Sequence, residues 1–142
     1  MLDRGENADF GAFLSAIARS CPDRLKALAE AVLPQLGTVE VVQSRTGLVM
    51  LPFRDTVQAT DFFLGEVLVA EAHIRANGVE GYGMVTGRDL ERAMAMAVLD
   101  AGRALGLPEV TAFAAREAAV QADEDADLLR RVEATRVEME TF

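Results

Sequence analysis

The dipeptide Asn77-Gly78 constrains the fold of this chain more than any other feature, because it lies between two β-like segments. Asn-Gly supplies the two positive-φ residues of a tight hairpin turn, which joins antiparallel strands. The segments on either side, 62–75 and 79–86, are rich in the apolar, β-branched and aromatic side chains that strands favour. The sequence therefore predicts an antiparallel hairpin over 62–86.

A second hairpin is predicted over 39–54. The apolar runs Val39–Ser44 and Leu48–Phe53 read as two short strands, and Arg45-Thr46-Gly47 reads as the loop between them. Pro52 indicates that the second run lies at a sheet edge or ends there. Glycines 81 and 83 leave alternate positions of the strand 79–86 without side chains, which predicts that something bulky lies across it.

Helices surround these strands. A first helix begins at an Asn7 or Asp9 cap and runs to about residue 20, and a second begins at Cys21-Pro22, since proline favours the first helical turn. Three more are predicted, over 90–105, 109–121 and 125–134, and 135–142 is a candidate last strand. The predicted fold is a single α+β domain over 1–142, with an antiparallel sheet of about four strands packed against helices.

Composition excludes several classes of function. The formal net charge of −9 makes nucleic acid an unfavourable partner, because the acidic chain repels phosphate backbones. Met1–Asp9 carries acids rather than the basic start of a signal peptide, and no apolar run reaches membrane-spanning length, so we expect neither export nor a membrane span. The lone cysteine, Cys21, is consistent with the reducing cytoplasm.

The chain lacks the side chains of a self-sufficient active site. His73 is the one histidine, so neither a histidine-based metal cluster nor a catalytic triad follows from the sequence. We predict no catalytic residue, no metal ligand set and no cofactor bound by this chain alone. A structural or exposed role for His73 is the expected one.

The tripeptide Gly87-Arg88-Asp89 offers a candidate anion site, because free amides at a helix start attract negative charge. Arg75 and Tyr82 are further candidates for anion binding or for an interface. The alternative for Asp89 is an ordinary helix cap beside a surface arginine. A freestanding module that binds a small anion through Arg88, Arg75 and Tyr82 therefore stays open as one function.

Met96 and Leu99 are candidates for a partner surface. They lie opposite the apolar stripe of the helix 90–105, among charged residues, and large apolar side chains on a charged face indicate a second contact. On this interpretation, replacing both with glutamate would leave the fold intact and weaken assembly. Ordinary scattered surface apolars are the alternative.

The order of these motifs resembles the PhnG family, the G subunit of the bacterial carbon–phosphorus lyase complex. The resemblance covers nearly the whole chain, although Phe13 stands where a tryptophan is expected. Its matching pieces are Arg45-Thr46-Gly47-Leu48-Val49, Phe62-Phe63-Leu64-Gly65-Glu66, Ile74-Arg75 with Gly78, Gly81-Tyr82, Val85-Thr86-Gly87-Arg88-Asp89 with Ala93, Leu99-Asp100-Ala101, and Thr135-Arg136-Val137 with Phe142.

The resemblance implies partners and a reaction. Such subunits assemble with H, I and J subunits into a core complex, with two copies of this chain, and with the nucleotide-binding K and L proteins. The G, H, I and L group is associated with replacing the adenine of ATP by a phosphonate, so ATP and phosphonate are substrates of the complex. A later cleavage uses iron–sulfur radical chemistry in the J subunit. One cysteine cannot hold such a cluster, which favours a non-radical role for this chain. On the resemblance we expect an obligate noncatalytic or accessory subunit of the transferase.

Overall fold

The computed structural model describes residues 4–140 and the side chains of residues 9–136. The chain is α+β, as predicted. Its elements in order are helix α1 (Arg4–Arg19), helix α2 (Pro22–Val32), a 3-10 turn (Leu33–Leu36), strands β1 (Val39–Asp55), β2 (Thr60–Ala76) and β3 (Val79–Thr86), helix α3 (Leu90–Ala104) and helix α4 (Pro108–Glu140). Among the described residues, no helix is long and apolar enough to cross a membrane.

The chain divides into two compact units. One is the continuous segment Cys21–Val110, which holds the whole sheet with α2 and α3, and the other is formed from the two ends of the chain. In the second unit, Gln121 Nε2 donates a hydrogen bond to the Ala16 carbonyl at 2.9 Å. An ion pair of 3.0 Å joins Arg19 to Asp125 in the same unit. The single domain over 1–142 stays a prediction.

The sheet has the order β1-β2-β3 and both pairings are antiparallel. Asn77 and Gly78 form the β2–β3 turn with φ of 49° and 80°, the left-handed values that a type I′ turn requires. The hairpin predicted over 62–86 is therefore confirmed.

The hairpin predicted over 39–54 is wrong, because β1 is one uninterrupted strand of 17 residues. Arg45, Thr46 and Gly47 lie in the ladder and pair with Glu71, Ala70 and Val69 of β2. The chain reverses later, at residues 56–59, where the Asp55 carboxylate accepts a hydrogen bond from the Val57 amide at 2.9 Å. The sheet therefore has three strands among the described residues instead of about four.

Helix α3 lies across the two glycines of β3. A Cβ at Gly81 would overlap the Ala97 carbonyl oxygen, and one at Gly83 would overlap the Ala93 carbonyl oxygen. The missing side chains therefore let the helix backbone approach the strand closely. This is the bulky element that the glycine pattern predicts.

The prediction that Met96 and Leu99 form an exposed partner surface is wrong. Their exposed fractions are 3% and 0%, and every residue from Ala95 to Gly102 is buried. Because α3 packs with its backbone against the sheet, small residues such as Ala93 and Ala97 contact β3, and the larger side chains fill the space beside them. The helix is enclosed on several sides, whereas the sequence pattern suggested one apolar stripe.

The C-terminal prediction also needs correction. Residues 108–140 form one helix, so the expected break near 122–124 and the strand from 135 are wrong as far as residue 140, while residues 141 and 142 lie outside the described part. Asp127 forms i,i+3 and i,i+4 ion pairs with Arg130 and Arg131, which support a continuous helix through the acidic cluster.

The two predicted starts of the N-terminal helices differ in outcome. Cys21 is the N-cap of α2 with Pro22 at the first helical position, as predicted. Helix α1 already contains Asn7 and Asp9, so neither is its cap.

Candidate functional site

The start of α3 holds Arg88 and Asp89. Asp89 is the N-cap, and its Oδ1 accepts a hydrogen bond from the Arg92 amide at 3.0 Å. Its Oδ2 accepts one from Lys26 Nζ of α2 at 3.2 Å. The hydrogen bond from the Arg92 amide, and to a lesser extent the one from Lys26, lower the pKa of this carboxyl. The Asp89 carboxylate therefore already accepts a hydrogen bond from an amide that, on the anion-site hypothesis, would bind a ligand. Arg88 is exposed.

Replacing Asp89 with alanine is expected to lower the free energy of unfolding by about 0.5–2 kcal/mol, the usual cost of losing a cap. Folding lowers the pKa of Asp89 from its ordinary value of 3.8. The stabilisation is therefore fully present at a pH above 3.8, and it is lost as the pH falls through the lower pKa of the folded state. Urea unfolding of both proteins from pH 7 to pH 3 measures it. A difference in free energy that grows toward acid pH would contradict the cap.

Arg75 and Tyr82 lie on the face of the sheet opposite α3, which we call the far face. Arg75 Nε donates to Glu80 Oε1 at 3.0 Å, and His73 Nε2 lies 3.5 Å from the same oxygen. The arginine is the main cause of the lowered pKa of Glu80. The His73 and Tyr82 rings meet edge to face with centroids 6.3 Å apart, and burial raises the pKa of Tyr82.

A polar row continues across the far face to β1. Arg45 Nη2 lies 3.8 Å from Glu71 Oε2. When the Gln43 amide is oriented to satisfy both neighbours, its nitrogen donates to Glu71 at 3.3 Å and its oxygen accepts from Arg45 at 3.0 Å. Each cation of this row thus has a carboxylate neighbour inside the chain.

The four sequence-predicted candidates are not brought together. Arg75 lies beside the first residues of β3, and Arg88 follows its last residue, so about 20 Å of strand separates them at roughly 3.3 Å per residue. Anion binding by either pair stays a prediction. Among residues 4–140, the structure contains no group of three or more His, Cys, Asp or Glu side chains placed to hold a metal ion.

Asp100 of α3 supports the edge of β3. Its Oδ2 accepts a hydrogen bond from the Tyr82 amide at 3.0 Å, and its Oδ1 faces Arg103 at 3.4 Å. Burial outweighs these contacts and raises the pKa of Asp100 above the ordinary value. The carboxylate thus satisfies one backbone donor on a strand edge that no described strand covers.

Replacing Asp100 with alanine is expected to cost about 1–3 kcal/mol of stability, because a partly buried amide loses its acceptor. Asparagine keeps an acceptor oxygen and should cost less. Since the folded pKa is raised, the folded chain holds the proton more tightly, and the wild type should lose stability relative to Asp100→Asn as pH rises through that pKa. Urea unfolding of both proteins at several pH values measures this. A wild type that gains stability relative to Asp100→Asn as the pH rises would refute it.

A long, apolar hairpin extends beyond the three-stranded part of the sheet. β3 pairs with β2 only from Ala76 to Val69, and the Gly87 amide adds one last bond to the Leu68 carbonyl. Residues 48–67, which we call the arm, are therefore a two-stranded ribbon. Its exposed large apolar side chains are Leu48, Val49, Met50, Leu51, Phe53, Val57, Phe62, Phe63 and Leu64.

Both faces of the arm are apolar. Residues that pair directly share a face, so Leu48, Met50 and Phe63 lie on the side that carries α3 farther along the sheet. Val49, Leu51 and Phe53 lie on the far face. Phe53 and Phe62 pack edge to face across the strands there, with centroids 5.6 Å apart. Sequence reasoning missed this surface because it divided β1 at Gly47, although unbroken apolar runs on both strands were a usable signal.

The family model for the phosphonate metabolism protein PhnG matches residues 11–142. The chain belongs to the PhnG family. This match confirms the resemblance seen in the sequence, and it makes the chain a phosphonate metabolism protein of the carbon–phosphorus lyase system. No curated protein matches the chain.

Family membership changes how the arm is interpreted. PhnG proteins are subunits of a multi-subunit complex of phosphonate metabolism. A subunit must bury apolar surface against its neighbours, whereas monomeric proteins rarely expose large contiguous apolar patches. The arm has this character, and the polar row and the α3 start do not.

Proposed function

We propose that this chain is an accessory, noncatalytic subunit of the transferase in the carbon–phosphorus lyase system. The assembly joins a phosphonate to the ribose of ATP and releases adenine, which yields a ribose 1-phosphonate 5-triphosphate. ATP and the phosphonate are substrates of the complex in the cytoplasm, and this chain binds no cofactor by itself. The family match supports the pathway.

The exposed arm is the observation that carries the accessory role. Leu48 and Phe63 have exposed fractions of 62% and 63% in the chain by itself. Two-stranded ribbons are marginally stable in water without further packing. An arm of this composition therefore favours a chain that completes its structure inside an assembly. On the family's pattern, the partners of the chain are the H, I and J subunits and the nucleotide-binding K and L proteins, and the complex holds two copies of this chain.

The isolated chain is expected to release no adenine from ATP and methylphosphonate, whereas the complex that contains it should do so. The measurement is adenine release, followed by chromatography, for the chain alone, for the complex without it and for the reconstituted complex. Release by the chain alone would refute the accessory role. An undiminished rate in the complex that lacks the chain would refute its place in the transferase.

The alternative function is a freestanding module that binds a small anion through Arg88, Arg75 and Tyr82. The candidates lie at two separate places and Arg75 already contacts Glu80, which disfavours a single shared site. Titration calorimetry with methylphosphonate, inorganic phosphate and ATP decides between the two functions. Millimolar or tighter binding that Arg88→Ala or Arg75→Ala abolishes would favour the module.

A further inference from the structure

We infer that the arm inserts into a two-walled apolar cleft on a different protein chain, so that both faces of the ribbon are covered at once. The inference rests on the proposed function, since the partner is another subunit of the same complex.

Neither face of the arm is suited to water. Antiparallel sheets that face solvent usually alternate, with apolar side chains on one face and polar ones on the other. Here Leu48, Met50 and Phe63 are exposed on one face, and Val49, Leu51 and Phe53 on the other. A partner that covered only one face would leave the other apolar row in water.

The unsupported ribbon extends well beyond the three-stranded part of the sheet. The pairing continues from Leu48 with Leu68 to Asp55 with Thr60, with a bulge at Leu64, so the strands are regular almost to the turn. β3 is too short to accompany them, because its last ladder residue, Thr86, is opposite Val69. The two strands of the arm are thus already paired in the isolated chain, and a partner can enclose the hairpin without refolding it.

A second copy of this chain is unsuited to be the main occupant. Two arms stacked face to face would bury one row of each and leave the outer rows exposed. Covering those rows with further copies would generate an open, nonclosing series of arms. Each copy also adds a formal charge of −9, so copies repel one another.

The charge of the arm indicates the charge of the surface that receives it. The arm carries Asp55, Asp61 and Glu66 against the single cation Arg54, which leaves two negative charges. Arg54 lies directly opposite Asp61 in the ladder, and Asp55 accepts the Val57 amide in the turn. We therefore expect an apolar cleft with lysine or arginine at its rim, near Glu66 and the tip of the arm.

The test is the affinity of arm variants for the complex purified without this chain, measured by biolayer interferometry. The variant Leu48→Asp/Phe63→Asp changes one face, and Val49→Asp/Phe62→Asp changes the other. The matched control Leu33→Asp/Leu90→Asp adds the same charge at exposed leucines outside the arm, and Leu33 has the same exposed fraction as Val49, 43%. All changed side chains are solvent-exposed in the isolated chain, so circular dichroism should show native spectra.

Each arm variant is expected to bind about 100-fold more weakly or worse, and the control to stay within about twofold of the wild type. A loss of affinity in only one of the two arm variants would overturn the two-walled cleft. Full affinity of both variants would overturn docking through the arm. A wild-type dimer that either variant abolishes would show that a second copy is the occupant.

A second measurement does not depend on substitutions. Hydrogen exchange of the wild-type chain should slow at residues 48–53 and 62–67 when the complex is added, and unchanged exchange there would overturn the proposal. Failure of the inference is distinguishable from failure of the proposed function. In the first case the arm variants assemble and support adenine release normally, and in the second the complex releases adenine without this chain.

Discussion

Replacing Met96 and Leu99 together with glutamate is expected to abolish cooperative folding of the isolated chain. Both side chains are enclosed, with 3% and 0% exposed. Removing a buried leucine or methionine side chain alone costs about 2–5 kcal/mol, and a buried carboxylate adds the cost of leaving water. Together these costs rival the whole stability of an ordinary domain, about 5–15 kcal/mol. Thermal melts followed by circular dichroism measure the effect.

Leu90→Glu is the matched control for this pair. Leu90 lies in the first turn of the same helix and is exposed, and an added acid there interacts favourably with the helix dipole. Its melt should remain cooperative, with a midpoint near that of the wild type. A normal melt for the double variant would restore the exposed partner surface that the sequence pattern suggested.

Replacing Gly83 with alanine is expected to lower the free energy of unfolding by about 3 kcal/mol or more. This is the upper end of the usual cost of overpacking, which is about 1–3 kcal/mol. The new Cβ would overlap the Ala93 carbonyl oxygen and would lie 2.7 Å from the Met96 Cβ and 2.9 Å from the Ala97 amide nitrogen. Backbone atoms cannot move aside as a flexible side chain can, so α3 must shift as a whole. Gly81→Ala should act in the same way, through the Ala97 carbonyl oxygen.

Two glycines of the same sheet serve as controls for this prediction. A Cβ at Gly47 or Gly65 would meet no atom within 4 Å. Alanine there should be neutral or should stabilise the chain by up to about 1 kcal/mol, because glycine in a strand loses more conformational entropy on folding. Urea unfolding compares the four variants. Equal effects at all four positions would mean that α3 does not approach β3 through the glycines.

Local chemistry explains which predictions from the sequence were confirmed. Asn77-Gly78 forms its turn because few residues other than Asn and Gly adopt two consecutive left-handed conformations at low cost. Pro22 begins α2, and Asp89 caps α3 through an amide three residues along the chain. Each signal acts within about four residues, so the rest of the fold does not need to be known.

The candidate site was less predictable than these local features. Arg88, Asp89, Arg75 and Tyr82 were chosen by residue type, and the ladder register then separated them. The arm was hidden because Gly47 between two apolar runs fits a hairpin loop as well as the interior of a long strand. Only the pairing of Gly47 with Val69 decides between these two possibilities.

The sequence by itself determined the α+β class, the β2–β3 hairpin, the start of α2, the cap of α3 and the family, because these depend on local conformational preferences or on residue order. Tertiary structure alone decided the length of β1 and the burial of Met96 and Leu99. A strand continues as far as its partner offers hydrogen bonds, and a helix face is buried only where other elements cover it. The arm is exposed for the same reason, since β3 ends opposite Val69 and leaves the ribbon beyond it without a third strand.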